Sequence, residues 1–266
     1  MSDYVHGYSE REATRLKDQA DTLAALLHHD TVYPAGSLIL EAGCGIGAQT
    51  VSLAANSPDA QILSIDVNPE SLIQAERAVN ARGFSNVVFR QADLFNLPDD
   101  DASFDHIFLC FVLEHLPNPE LALGCLSRVL RPGGTITVIE GDHGSYYCHP
   151  RSVKANRVVQ CLIDLQAEMG GDALIGRRVY PLLVEAGFRK VSVSPRMVYV
   201  DSSRPDLVEG FMKNTFIAMV QGVGAKATES GMIDEQAWND GIEALYRAAE
   251  ADGTFCYTFF KGVGVR

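Results

Sequence analysis

The stretch that most constrains this chain is Leu38-Ile-Leu-Glu-Ala-Gly-Cys-Gly-Ile-Gly47, an apolar run of strand type that ends in three glycines at every second position. Glycines so spaced let the backbone turn sharply and approach a ligand at the carboxyl end of a strand that feeds directly into a helix. The same unit then recurs. Strands are expected at Leu38–Glu41, Gln61–Asp66, Val87–Gln91, Asp105–Phe111 and Thr135–Glu140, with helices after the first four at 47–57, 69–82, 112–115 and 119–130. Strands alternating with helices build a parallel sheet covered on both faces. Asn68 at an N-cap with Pro69 behind it starts one helix, and Arg131-Pro-Gly-Gly134 ends another.

After Glu140 the rhythm changes. A polar loop over 141–150 precedes helices at 151–169 and 177–186, and Gly187-Phe188 leads into a strand over Val191–Val200. The last strand is expected at Phe255–Lys261. Residues 202–253 between them read as helices near Phe211–Val220 and Glu235–Ala251, a cap over the sheet's edge or a dimer surface, with Gly222-Val-Gly-Ala-Lys226 as a flexible joint. At the other end a helix is expected over Ser9–His28, opened by a Ser9/Glu12 capping box, with Ala13, Leu16, Ala20, Leu23 and Leu27 on its apolar stripe. Its Glu12, Arg15, Gln19 flank should be half buried. The fold class is therefore α/β: a doubly wound, mostly parallel seven-stranded sheet with an antiparallel last strand. One domain is expected over 1–266, divided into a helical segment (1–30), a core (36–140), a loop with helices and a strand (141–201), a helical cap (202–253) and the last strand (254–266).

Composition narrows the partners. With 266 residues, 47% hydrophobic and 21% charged, the chain has material for a buried core. A net charge of −12 with no basic patch repels nucleic acid and anionic lipid, which leaves a small molecule as partner; the sequence leaves both a monomer and a homodimer open. The longest apolar run, Ile107–Leu113, falls far short of the ~20 residues of a bilayer span, and Met1-Ser-Asp-Tyr4 does not open a signal peptide. Six cysteines without a C-x-x-C pair read as small core residues, so a cytoplasmic location is expected.

Four segments follow one another in a telling order: Glu41-Ala-Gly-Cys-Gly-Ile-Gly47, Asp66 at the end of the second strand, Gln91-Ala-Asp93 after the third, and Phe104-Asp105 running to Phe111-Val-Leu-Glu-His-Leu116 after the fourth. Gly43, Gly45 and Ala48 also satisfy the dinucleotide pattern, which keeps an NAD(P)-dependent oxidoreductase as an alternative. Over Leu38–Glu140 the ordered set resembles the class I (Rossmann-like) S-adenosylmethionine (SAM) dependent methyltransferases of small-molecule type. The resemblance implies SAM as cofactor, S-adenosylhomocysteine (SAH) as product, and transfer of a methyl group to N or O of a small metabolite. A catalytically silent binding or scaffold protein is the non-enzymatic alternative. By the same resemblance Gly43, Cys44 and Gly45 would contact the methionine part of SAM with Glu41 beside its ammonium, Asp66 would hold the ribose hydroxyls, and Asp93 with Ala92 would hold the adenine. Gln49, Thr50, Val67, Leu94, Phe111 and Val112 would complete that site, joined by Tyr8, Arg15 and Gln19 from the N-terminal segment.

Methyl transfer needs alignment more than acid–base chemistry, yet an oxygen or ammonium acceptor must lose a proton, and histidine titrates in the right range. His115 and His143 are the catalytic candidates. Tyr4, His6, Glu140, Asp142 and His143 are the substrate candidates, the acids favouring a cationic amine if they face the pocket and the histidines a hydroxyl if they do not. No metal site is expected. The turn Cys110-Phe111-Val112-Leu113 lacks the Asn/Asp-Pro-Pro-aromatic signature of DNA-base amino-methyltransferases.

Overall fold

The structure, a computed structural model, describes residues 10–266, with backbone alone for 10–13 and 17. They cluster into two compact units. The larger comprises Ala24–Glu140, Ile175–Arg196 and Phe260–Arg266; the smaller comprises the described residues up to Leu23, Gly141–Leu174 and Met197–Phe259.

The larger unit carries β1 (Leu38–Ala42), α2 (Thr50–Asn56), β2 (Gln61–Asp66), α3 (Pro69–Ala81), β3 (Val87–Gln91), β4 (Phe104–Cys110), α4 (Pro119–Val129) and most of β5 (Leu130–Gly141), after α1 (Glu10–His28) has entered from the smaller unit. Strands run β3-β2-β1-β4-β5-β8, the last being the end of β8 (Thr254–Val265), with β7 (Arg189–Asp201) beside it. The first five are parallel, Leu40 facing Leu63 and Ile107, and Ile107 facing Ile136, with a register shift between β4 and β5 at Phe104/His106. At the other edge Arg266 exchanges backbone bonds with Gly133 and Gly134, where the sheet turns antiparallel. This parallel order puts all the loops that follow β1 to β5 at one edge. Leu40, Ile65, Ile107, Leu126, Val138 and Leu182 are among the fully or nearly fully buried residues of the core, each worth about 1.5–3 kcal/mol of burial. Asn68 caps α3 as expected, its side chain accepting from the amides of Glu70 and Ser71. In this unit strand and helix ends fall within a few residues of expectation, the largest difference being β5, which takes in the Arg131-Pro-Gly-Gly turn.

The smaller unit holds β6 (Tyr147–His149), α5 (Val153–Glu168), α7 (Pro205–Leu207), which continues through the π-helical Val208–Ile217 into α8 (Ala218–Gly222), then α9 (Gly224–Glu229) and α10 (Glu235–Arg247); α6 (Val179–Glu185) belongs to the larger unit. β6 pairs antiparallel with the first residues of β8, Tyr147 facing Cys256. Its three residues lie in the stretch expected to be loop; so short a strand leaves no alternation to detect. The expected joint at 222–226 is instead the start of α9. Gly224 is there for close approach, since a Cβ on it would stand 2.7 Å from Trp238 Nε1. Phe211, Met212 and Phe216 of the cap are 0–2% exposed, packed with Phe255, Tyr257 and Phe259 as core.

Candidate active site

The glycine loop leaves β1 and turns into α2. Gly43 has φ +77°, a left-handed conformation that costs a residue with a side chain about 1–2 kcal/mol, and its missing Cβ would lie 2.8 and 3.0 Å from the two γ-methyls of Val112. Gly47, at φ +78°, lets α3 approach until Ala75 Cα would stand 2.8 Å from a Cβ. Gly45 is different: a Cβ there would meet nothing within 4 Å, so its face is open. The loop's amides are largely committed. Those of Gly43 and Cys44 both bond Ile65 O at 2.9 Å, that of Gly47 bonds Cys44 O, and that of Gly45 donates to Asp66 Oδ2 at 2.8 Å.

Three acids lie at or just beyond the carboxyl ends of β1, β2 and β3. Glu41, 2% exposed, accepts the hydroxyls of Thr50 (2.7 Å) and Ser64 (2.6 Å) on Oε2. Burial pushes its pKa up from 4.5 to about 7 against those two bonds, with Asp66 adding to the rise. Asp66 braces the edge with both oxygens, Oδ2 taking Gly45 N–H and Oδ1 taking Asn68 N–H (2.9 Å). Asp93, exposed, caps the turn Leu94–Asn96 by accepting Phe95 N–H on Oδ1 at 2.9 Å. Each carboxylate keeps lone pairs for a ligand. Val67, 54% exposed beside Asp66, supplies an apolar surface at the same edge.

Ala92 N–H holds Asp66 O, Leu94 is buried, and Thr50 is committed to Glu41. Gln49 accepts a 2.7 Å bond from His28 Nε2. His28 went unnoticed in the sequence, being one more position on a helix; it is 2% exposed, and burial lowers its pKa to about 4, so it stays neutral.

The turn after β4 is built without glycine. Phe111 has φ +59°, its amide bonds Ile139 O, and Val112 leads into a single turn over Leu113–His115. Glu140, at the end of β5 and fully buried, accepts Val112 N–H (3.0 Å) and Leu113 N–H (2.7 Å) on Oε1. Burial, and then the Glu114 carboxylate, raise the Glu140 pKa well above the ordinary range. His115 Nε2 lies 3.6 Å from Glu114 Oε1, with a quarter of its side chain exposed.

The remaining candidates lie in the smaller unit or outside the described residues. Arg15 and Gln19 are both buried, deeper than the half-burial expected, and Arg15 Nη1 donates to Gln19 Oε1 at 3.1 Å. Asp142, 2% exposed, accepts Gly144 N–H on Oδ1. His143, 5% exposed, meets the Tyr257 hydroxyl through Nδ1 at 2.7 Å, a partner 114 positions away that no local pattern announces. Tyr4, His6 and Tyr8 lie outside the described residues. Among the described residues no group of three or more His, Cys, Asp or Glu is placed to hold a metal ion, and no helix is long and apolar enough to cross a membrane. An open hollow of about 600 Å³ lined by Phe95–Asp101, Cys125 and Arg128 shares no residue with the glycine loop.

Residues 40–138 match the family model described as a methyltransferase domain. An uncharacterized 37.1 kDa protein in transposon TN4556 of Streptomyces fradiae is 32% identical over 189 residues, 70% of this chain and 54% of that protein. The 27-O-demethylrifamycin SV methyltransferase of Amycolatopsis mediterranei is 32% identical over 134 residues, 50% of this chain and 49% of that enzyme. The chain spans about half the length of these curated relatives. Among solved structures, a phosphoethanolamine N-methyltransferase 2 of Haemonchus contortus, in complex with phosphomonomethylethanolamine and S-adenosylhomocysteine, superposes with a TM-score of 0.55 at 17% identity, over 92% of this chain and 52% of that one. At that identity the likeness is one of fold alone.

Proposed function

From the class I, S-adenosylmethionine-dependent methyltransferase domain that residues 40–138 form, we propose that the protein moves a methyl group from SAM to N or O of a small metabolite. The observation that carries the cofactor assignment is the commitment of the glycine loop's amides: Gly43, Cys44, Gly45 and Gly47 donate to protein oxygens. A pyrophosphate needs such amides as its cradle, whereas a methionine moiety with a cationic head does not. Glu41 fits the same ligand, since it would repel a pyrophosphate but suits an ammonium, while Asp66 suits the ribose diol of either cofactor.

When bound, SAM supplies a methyl carbon activated by the adjoining sulfonium. Glu41 would pair with the ammonium, Asp66 would accept the ribose hydroxyls on its remaining lone pairs, and Asp93 would accept the adenine amino group. The open face of Gly45 leaves the backbone within reach of the methionine part. His115, whose Nε2 lies 3.6 Å from Glu114 Oε1, would accept the proton that an N or O acceptor sheds as the new bond forms. The acidic charge of the chain favours neutral or cationic metabolites over nucleic acid.

Calorimetric titration with SAH, run beside NADH, tests the reading. SAH should bind and raise the melting temperature while NADH does neither. Asp66→Ala should then raise the SAH Kd about ten- to a hundredfold, the cost of a charge-assisted pair of bonds. Binding of NADH but not SAH would overturn the assignment in favour of the dinucleotide alternative.

A further inference from the structure

Glu140 is an unexpected residue to find where it is. It ends β5 at 0% exposure, Oε1 takes the amides of Val112 and Leu113, and Oε2 is buried with no hydrogen-bond partner. An interior acid with one orphaned oxygen is costly to keep, so its retained oxygen must secure something. What it secures is a turn whose entry residue, Phe111, sits at φ +59°. Non-glycine residues stay in that region only where their surroundings over-determine them. The exit residue, Val112, presses both γ-methyls into the space a Cβ on Gly43 would fill.

We propose that Glu140 is a positioning residue for the cofactor site: its Oε1 holds the 111–113 turn in the shape that seats Val112 against Gly43, and so fixes the glycine loop from beneath. This rests on the reading of that loop as the SAM site. Glu140 itself touches no cofactor atom; it acts through Val112. The role asks for an acceptor at one point in space, and for no charge.

Two replacements separate those demands. Glu140→Gln keeps Oε1 in place and removes the titratable carboxyl, so the SAH Kd should stay within about threefold of wild type. Glu140→Asp keeps the carboxyl and withdraws the acceptor by one methylene. It should raise the SAH Kd about five- to twentyfold, and amide exchange over 111–114 should quicken about tenfold or more while 104–109 is unchanged. Val112→Ala, a smaller lesion, should weaken SAH severalfold by itself, and combined with Glu140→Asp it should add little, because both break the same path.

Several results would overturn the proposal. One is faster exchange over 111–114 with unaltered SAH affinity. Another is full additivity of the two lesions. A third is a Gln variant as impaired as the Asp variant, which would make the role one of the titratable carboxyl. If wild-type protein binds no SAH, the cofactor reading fails first and this inference fails with it; that result is read before any variant is compared.

Discussion

Two turns at the same edge of the sheet, one after β1 and one after β4, solve one backbone problem by opposite means. Both must bend the chain through left-handed backbone directly after a parallel strand. The first uses Gly43, Gly45 and Gly47, which accept positive φ at no steric cost, and braces them with Asp66. The second places Phe111 at φ +59° and relies on Glu140 and the Ile139 carbonyl to hold it. In the glycine turn the space at Gly43 is taken by Val112 and that at Gly47 by Ala75, while Gly45 stays open. Freedom of conformation goes where neighbouring elements approach closely, and strain goes where protein atoms can restrain it.

The largest effect should come from removing the freedom of the first turn. Gly43→Ala forces a left-handed alanine and drives its Cβ into Val112, so SAH affinity should fall about a hundredfold or more. Calorimetry at fixed pH reads it. A loss under threefold would mean that Val112 yields easily, and that the two turns are not braced against each other.

Next in size is a difference in charge between the acids that serve the two turns. Glu41 titrates near 7 in the folded chain against an ordinary 4.5, so the native state holds an extra proton between those values. The stability contributed by the neutral form is complete below about pH 4.5 and is lost as pH rises through 7, about 3 kcal/mol in all. A cationic ligand head reverses the preference, because it pairs with the carboxylate. The SAH Kd should therefore fall about tenfold from pH 6 to pH 8, and between pH 5 and pH 7.5 the unliganded wild type should lose melting temperature relative to Glu41→Gln, a comparison in which the opposite contribution of His28 cancels. Glu41→Gln should flatten the binding profile. A profile unchanged in that variant would place the ammonium elsewhere.

The contrast also explains what could be read in advance. β1, β2, β3 and their glycine turn were legible because strand periodicity, N-cap chemistry at Asn68 and glycine spacing are local signals. Asp66 and Asp93 stood at recognisable strand ends. Glu140 was picked out as an acid at the end of β5, yet its partnership with Val112 and Leu113, 28 and 27 positions earlier, depends on which strand lies beside which. His28 with Gln49 and His143 with Tyr257 were hidden for the same reason. Local rules mislead at Gly224, where a glycine that suggests flexibility instead permits close approach to Trp238.

The smallest effect tests the second turn alone, and it rests on an inversion of an ordinary rule. At most positions alanine is more stable than glycine by roughly 0.5–1 kcal/mol, because glycine loses more backbone freedom on folding. At φ +59° the order should reverse, since alanine keeps the left-handed penalty and glycine does not. Phe111→Gly and Phe111→Ala both remove the ring, so its lost packing largely cancels between them and the backbone difference remains. The glycine variant should be the more stable by about 1 kcal/mol, or roughly 2–4 °C in melting temperature for a chain of this size. Equal melting, or an alanine variant that melts higher, would show that the 111–113 turn relaxes once the ring is gone. Glu140 would then be restraining nothing, and the division of labour between the two turns would dissolve.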